Sequence, residues 1–203
     1  MILDVPFYKQ TTPLNCGATA LQMILAYFGE KVDIENLDKL IKTPQEKGIS
    51  TIKLAIAASN LGYKTEFLSK RVLFDESNLQ LDFYKKYGDI NPEQSKSLIA
   101  EAKQLGVLVE EKSFPLRELL EKLTSNSLPI VLLDWNVIIG KEGYHGHFVP
   151  LIGYDDHNVY VHNHGLSNPS SCMPVPKDLF DQARKAQGTD EDVVVIYRKN
   201  TPQ

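Results

Sequence analysis

Cys16 is one of only two cysteines in the chain, and it is followed by Gly17 and by an apolar run that repeats at helical spacing. A thiol in the first turn of a helix sits at the positive end of the helix dipole, which favours the nucleophilic thiolate. A lone cysteine is by default a small buried hydrophobe. What lifts Cys16 above that default is the set of residues that accompany it. Gln10 stands six residues upstream, and all five histidines lie between positions 145 and 164. A thiol nucleophile needs a base, so the base must come from that later segment. There "GYHGHFVPLIGYDD" sets His145, Gly146 and His147 at the start of an apolar strand, and "NVYVHNHG" ends the next one with His162, Asn163 and His164. The intervening "DDHN" suits a hairpin turn, and the outer ends of a hairpin lie side by side. His147 therefore falls beside Asn163, whose amide oxygen can hold the imidazole in one tautomer. Pro150 within the first strand implies an edge or a bulge.

The elements that must position these groups read as follows. Pro6 and Pro13 keep the first segment extended. Asn15 is suited to cap a helix that begins near Cys16 and ends at Gly29. Further helices are expected from Asp33 to about Ile41, from Ser50 to Gly62, over "DFYKKYG", over "NPEQSKSLIAEAKQLG" and over "PLRELLEKLTSN", with "KTPQEKG" as a loop. "YKTEFLS" and "VLVEEKS" read as strands, as do "PIVLLDWNVI", "HFVPLIGYDD", "NVYVHNH" and "DVVVIYRK". Helices thus dominate the first part and strands the last, an α+β pattern with an antiparallel sheet expected from about residue 130 to 197. A cleft should lie between the Cys16 helix and that sheet.

"Q-TTPLN-CGATALQMILAYFG", "GISTIKLAIAASNLGYKTEFLS" and "GHFVPLIGYDDHNVYVHN" resemble the bacteriocin-processing, double-glycine peptidases and their stand-alone relatives among the papain-like cysteine peptidases. The resemblance covers residues 4–69 and about 113–197. It implies one papain-like domain over 1–203, with an insertion expected at about 70–112. It also implies a catalytic set of Cys16 as nucleophile, His147 as base, Asn163 as orienter and Gln10 as oxyanion donor together with the Cys16 N–H. Gly17, His145 and Gly146 are expected to contact substrate: Gly17 permits close approach of a backbone, and His145 shares a strand face with His147. The orienter departs from the usual aspartate of the transporter-linked members, and "HNHG" replaces the usual acidic residue followed by proline. Leader specificity is therefore not carried over.

Among 203 residues, 42% are hydrophobic and 24% charged, and the formal net charge is −4. This balance suits a globular core and gives no electrostatic reason to expect nucleic acid or an anionic membrane as partner. A peptide or protein substrate is expected, with no metal or cofactor, in a cytoplasmic setting: the N-terminus lacks a signal-peptide pattern and no apolar stretch reaches bilayer length. Zinc on His145, His147, His162, His164 and Cys172 is an alternative, but it leaves "QTTPLNCG" without a role. His162 and His164 are expected at the surface and Cys172 in a loop. Two other functional readings stand beside a peptidase: a catalytically silent papain-like module that binds peptide, and an acyltransferase or deamidase using the same triad.

Overall fold

The computed structural model describes residues 1–42, 46–89 and 91–199. Positions 43–45 of the expected "KTPQEKG" loop lie outside them. Three helices open the chain: α1 (Cys16–Tyr27), α2 (Ile34–Ile41) and α3 (Thr51–Asn60). Strand β1 (Lys64–Ser69) follows, then a 3-10 turn at Glu76–Gln80, α4 (Asp82–Tyr87), α5 (Pro92–Gln104), β2 (Leu108–Glu111) and α6 (Leu116–Glu121). The remainder is β3 (Ser127–Asp134), α7 (Trp135–Ile139), β4 (Gly146–Tyr154), β5 (Asn158–Asn163), β6 (Ser170–Pro176), α8 (Lys177–Arg184) and β7 (Val193–Tyr197). Among the described residues no helix is long and apolar enough to cross a membrane.

All seven strands join one sheet in the order β2-β1-β7-β3-β4-β5-β6. Every neighbouring pair is antiparallel except β1 with β2. Helix α1 packs on β3 and β4, α3 on β1 and β7, and α8 on β3, β5 and β6. The core between them is built from side chains such as Leu21, Ile24, Leu54, Ile130, Val149 and Val194, all fully buried. Strand β4 lies inside the sheet, with Pro150 opposite Ile130 and a bulge between Leu151 and Gly153. The bulge is one of the two outcomes that Pro150 implied.

Three segments differ from the reading of the sequence. The sheet takes in β1 and β2 from the helical part, so it is wider than residues 130–197. "PIVLLDWNVI" is a strand only to Asp134; the Asp134 carboxylate then accepts the Asn136 N–H at 3.0 Å and caps α7. That cap defeats the β-branched preference of "WNVII". Around Cys172, where a loop was expected, β6 forms as an edge strand, and α8 follows it without a gap. The prolines that argue against a central strand are tolerated at an edge.

Helix α8 is fastened by its last residue. Arg184 is fully buried, ion-paired with Asp181 at 2.6 Å and with Glu191 at 3.3 Å, and its Nη2 also donates to the Phe114 carbonyl at 2.7 Å. Breaking a buried pair from one side leaves the other charge uncompensated. Arg184→Met should therefore cost about 3–5 kcal/mol, read from the urea midpoint by circular dichroism. A loss below about 1 kcal/mol, the level of a surface pair, would show that this cluster does not hold α8.

Candidate active site

The loop before α1 sets the position of the thiol. The Asn15 side chain does not cap the helix; it turns back, accepting the Thr12 N–H at 3.1 Å and donating to Thr11 Oγ1 at 2.9 Å. Its carbonyl takes both the N–H and the hydroxyl of Thr19 at 3.0 Å. Cys16 is thereby the first residue of α1, and it is buried. The sulfur faces the backbone N–H of Phe148 on β4 as well as those of Gly17 and Cys16 itself. Burial pushes the thiol above its ordinary value, and those amides only partly oppose it. The dipole effect anticipated from the sequence is outweighed by desolvation. Space beside Gly17 is taken by protein: a Cβ there would come within 2.6 Å of Ile49 Cδ1 and 3.1 Å of Phe148.

His147 lies near the start of β4, opposite Leu133. Its ring packs edge-on against Trp135, with centroids 5.0 Å apart, and beside His164 at 4.9 Å. Nε2 is buried without a hydrogen-bond partner. Burial pushes the imidazole well below its ordinary value, with His164 and His145 adding to the effect. Asn163 ends β5; its Nδ2 donates to the Asn168 carbonyl at 2.9 Å, and its Oδ1 faces the Gly165 N–H at 3.4 Å. Asn163 and His147 both approach Gly165. A Cβ there would lie 3.4 Å from Asn163 Oδ1 and 4.0 Å from His147 Nε2. The Gln10 side chain donates to the Thr12 carbonyl at 2.9 Å, leaving its Oε1 buried and unpartnered.

His164 is a correction to the sequence reading. It is fully buried rather than superficial, and His162 is buried too. His164 Nε2 lies 2.9 Å from the Cys16 carbonyl and Nδ1 lies 3.1 Å from the His162 carbonyl. Its own carbonyl accepts the Gln10 N–H at 3.0 Å. Burial holds the ring below its ordinary value more strongly than the two carbonyls raise it, and a neutral ring donates to one of these two carbonyls. One residue thus touches Gln10, Cys16 and His147 and is the direct neighbour of Asn163. The only signal for it in the sequence was its adjacency to Asn163.

The remaining histidines do not gather into a metal centre. His162 Nε2 lies 2.9 Å from the Val5 carbonyl, and its Nδ1 accepts the Cys172 N–H at 3.1 Å. Among the described residues no group of three or more His, Cys, Asp or Glu is arranged to hold a metal ion. His145 instead stands edge-on to Phe83 of α4, with centroids 5.6 Å apart. Its backbone N–H is held by Asp134 Oδ1 at 3.0 Å, and burial lowers its imidazole.

Cys16, His145 and Gly146 line one cavity of about 160 Å³, which runs beneath α4. Phe83, Tyr84 and Tyr87 of α4 form part of its wall. The acidic residues Asp89, Asp190 and Asp192 also line it, and nothing in the sequence pattern marked them out.

Comparison with solved structures places the fold. A putative C39-like peptidase from Bacillus anthracis superposes with a TM-score of 0.60 at 18% identity, covering 98% of each chain. A double-glycine motif protease from an AMS/PCAT transporter, solved with its leader peptide, gives 0.53 at 19% identity over 98% of this chain and 94% of that one. The peptidase domain of Streptococcus ComA gives 0.52 at 14% identity over 94% and 96%. The architecture is thus that of C39-like, papain-like cysteine peptidase domains. In sequence, the chain is 25% identical to "Guanylyl cyclase 1" of Arabidopsis thaliana over 98% of its own length and 77% of the relative's. The family model described as guanylylate cyclase matches residues 5–196; nearly the whole chain falls within that match, and the chain belongs to the guanylylate cyclase family.

Proposed function

We propose that this chain is a cysteine peptidase or related thiol acyl-hydrolase, with Cys16 as nucleophile, His147 as base, Asn163 as orienter and Gln10 as oxyanion donor. The observation that carries the reading is the convergence on His164: its ring and backbone touch Gln10, Cys16 and His147. Residues from opposite ends of the chain are brought to one helix mouth, and that mouth opens on a cavity.

In the resting state both thiol and imidazole are neutral, because burial raises the first and lowers the second. A neutral imidazole is the form a general base needs. As Sγ adds to the substrate carbonyl, the thiol proton passes to His147. The protonated ring then returns it to the leaving amine, and a thioester remains on Cys16 for water to hydrolyse. The Cys16 N–H and the Gln10 amide would receive the oxyanion; one amide N–H of Gln10 is held by the Thr12 carbonyl, and the second is the one that would serve. The α4 segment belongs to the insertion we place at about 70–112, and we read its aromatic side chains as a cover that restricts what reaches the thiol.

The name of the family and of its plant relative attaches a cyclase activity to this sequence class. That chemistry has to seat a triphosphate. The charged groups lining the cavity are Asp89, Asp190, Asp192 and Arg71, and Arg71 is already paired with Asp75. Among the described residues no other Lys or Arg lines the cavity, so it offers no unengaged cation to a triphosphate.

Four outcomes are expected. With fluorogenic peptide amides, Cys16→Ala should abolish turnover, and His147→Ala should lower kcat by about 10²–10⁴-fold. Asn163→Ala should cost less, and Asn163→Asp should stay active. Cyclic GMP made from GTP and a divalent metal, undiminished in Cys16→Ala, would overturn the reading.

The pH dependence follows from the neutral pair. The active form is lost only as pH falls through the lowered His147 value or rises through the raised Cys16 value. With a peptide that carries no basic residue beside the cleaved bond, a kcat/KM profile should therefore hold its plateau to below pH 6.5, the ordinary imidazole value. An acid limb centred above it would contradict the neutral-pair mechanism.

A further inference from the structure

The cavity that starts at Cys16 ends on a carboxylate. Across the sheet, Asp192, Leu132 and Phe148 form one row: the Leu132 N–H donates to the Asp192 carbonyl at 3.0 Å, and Leu132 is paired with Phe148. Residues directly opposite one another present their side chains on the same face, and all three line the cavity. The thiol sits against Phe148. Two strand spacings, about 10 Å, therefore separate the Phe148 end of the row from Asp192. That is the reach of an extended lysine or arginine side chain together with the carbonyl it flanks. The volume agrees, since about 160 Å³ is close to the roughly 150 Å³ cavity known to hold a benzene-sized ligand.

The chemistry of the lining narrows the occupant. Asp89 is neutralised by Lys53 at 2.8 Å, and Asp190 accepts the Asn78 amide at 2.9 Å. Asp192 is different. Among the described residues it has no ion-pair partner, and its Oδ1 is buried without a hydrogen bond. Burial pushes its carboxyl up to about 7, with Asp190 adding to the rise and the Ser69 and Thr51 hydroxyls opposing it. The walls are aromatic: Phe74, Phe83, Tyr84 and Tyr144 present faces and edges of the kind that receive organic cations.

The backbone that delivers Asp192 is strained and firmly held. Asp190 and Glu191 both adopt left-handed φ, 48° and 55°, although neither is glycine. The Asp190 carbonyl accepts the Lys70 N–H at 2.7 Å, and the Glu191 carboxylate accepts the Ser113 hydroxyl at 2.9 Å. The Asp192 N–H donates to the Thr189 carbonyl at 2.9 Å. Strain of this kind persists where the surroundings over-determine it, and it concentrates at ligand sites.

We propose that this cavity is a specificity pocket for one cationic side chain of the substrate, of the lysine or arginine type, beside the attacked carbonyl and anchored by Asp192. This rests on the acyl-transfer reading of Cys16.

Two measurements separate the two ideas. Peptide amides differing only at the residue flanking the cleaved bond should show kcat/KM for Lys or Arg about tenfold or more above Met. Asp192→Asn should bring that ratio close to one, and Asp192→Glu, whose carboxylate reaches further into the pocket, should shift preference toward the shorter ornithine. Independently of turnover, Cys16→Ala protein should bind agmatine in calorimetry and ignore 1-pentanol, with agmatine binding lost when Asp192→Asn is added. Should Asp192→Asn fail to fold, as judged by circular dichroism, the Asp192→Glu shift and the calorimetry with Cys16→Ala decide. Agmatine binding without any peptide turnover would sink the acyl-transfer reading and leave a cation site. Turnover without cation preference, or no agmatine binding, overturns the pocket.

Discussion

The hydrogen bond from His164 Nε2 to the Cys16 carbonyl, 2.9 Å long, fixes the first turn of α1 to the end of β5. Apolar contact between the helix and the sheet has no directional preference, so a directed bond of this kind is what orients the helix mouth. With it, the thiol has one azimuth and one height relative to β4. Gly17 sets the remaining coordinate, since any side chain there would collide with Ile49 and Phe148. Gln10 is drawn in by the carbonyl of the same histidine. A histidine where a proline is usual in the family it resembles thus acts as a structural joint: its ring supplies a donor that proline lacks.

Such tight seating has an electrostatic consequence. A helix N-terminus stabilises a thiolate, but only while water or a counter-charge shares the task. Around Cys16 little solvent remains, and the His147 ring is itself neutral by burial. The two groups are therefore stored as an uncharged pair. On the acyl-transfer reading proposed above, charge would be created only when a substrate carbonyl is present to take it up.

Local patterns carried most of the secondary structure. Cys16–Tyr27 has an apolar stripe with a glycine stop, and the β4–β5 hairpin has alternation around "DDHN", where Asp155 accepts the His157 and Asn158 N–H groups. Legibility ended where a tertiary contact overrode a local one. Trp135–Ile139 has the composition of a strand and becomes a helix because one carboxylate caps it. His164 has the composition of a loop and is buried because α1 comes to rest on it. Asp192 looks like the last polar residue before an apolar strand. Only the strand order, which puts β7 beside β3, reveals that it faces the same space as Cys16. Pairing between distant strands leaves no trace in neighbouring residues, so this part of the site lay beyond any local pattern.

The two margins of the sheet say how a polypeptide can and cannot approach. On one side β6 carries Pro174 and Pro176, two apart, so donors are missing from the same flank of the strand. On the other, β2 is only four residues long, with Glu110 tied to Lys112 and Glu111 accepting the Val72 N–H. Neither rim is a template on which a stray strand can dock and extend the ladder. An extended chain that meets this protein finds no ladder to lengthen at either flank.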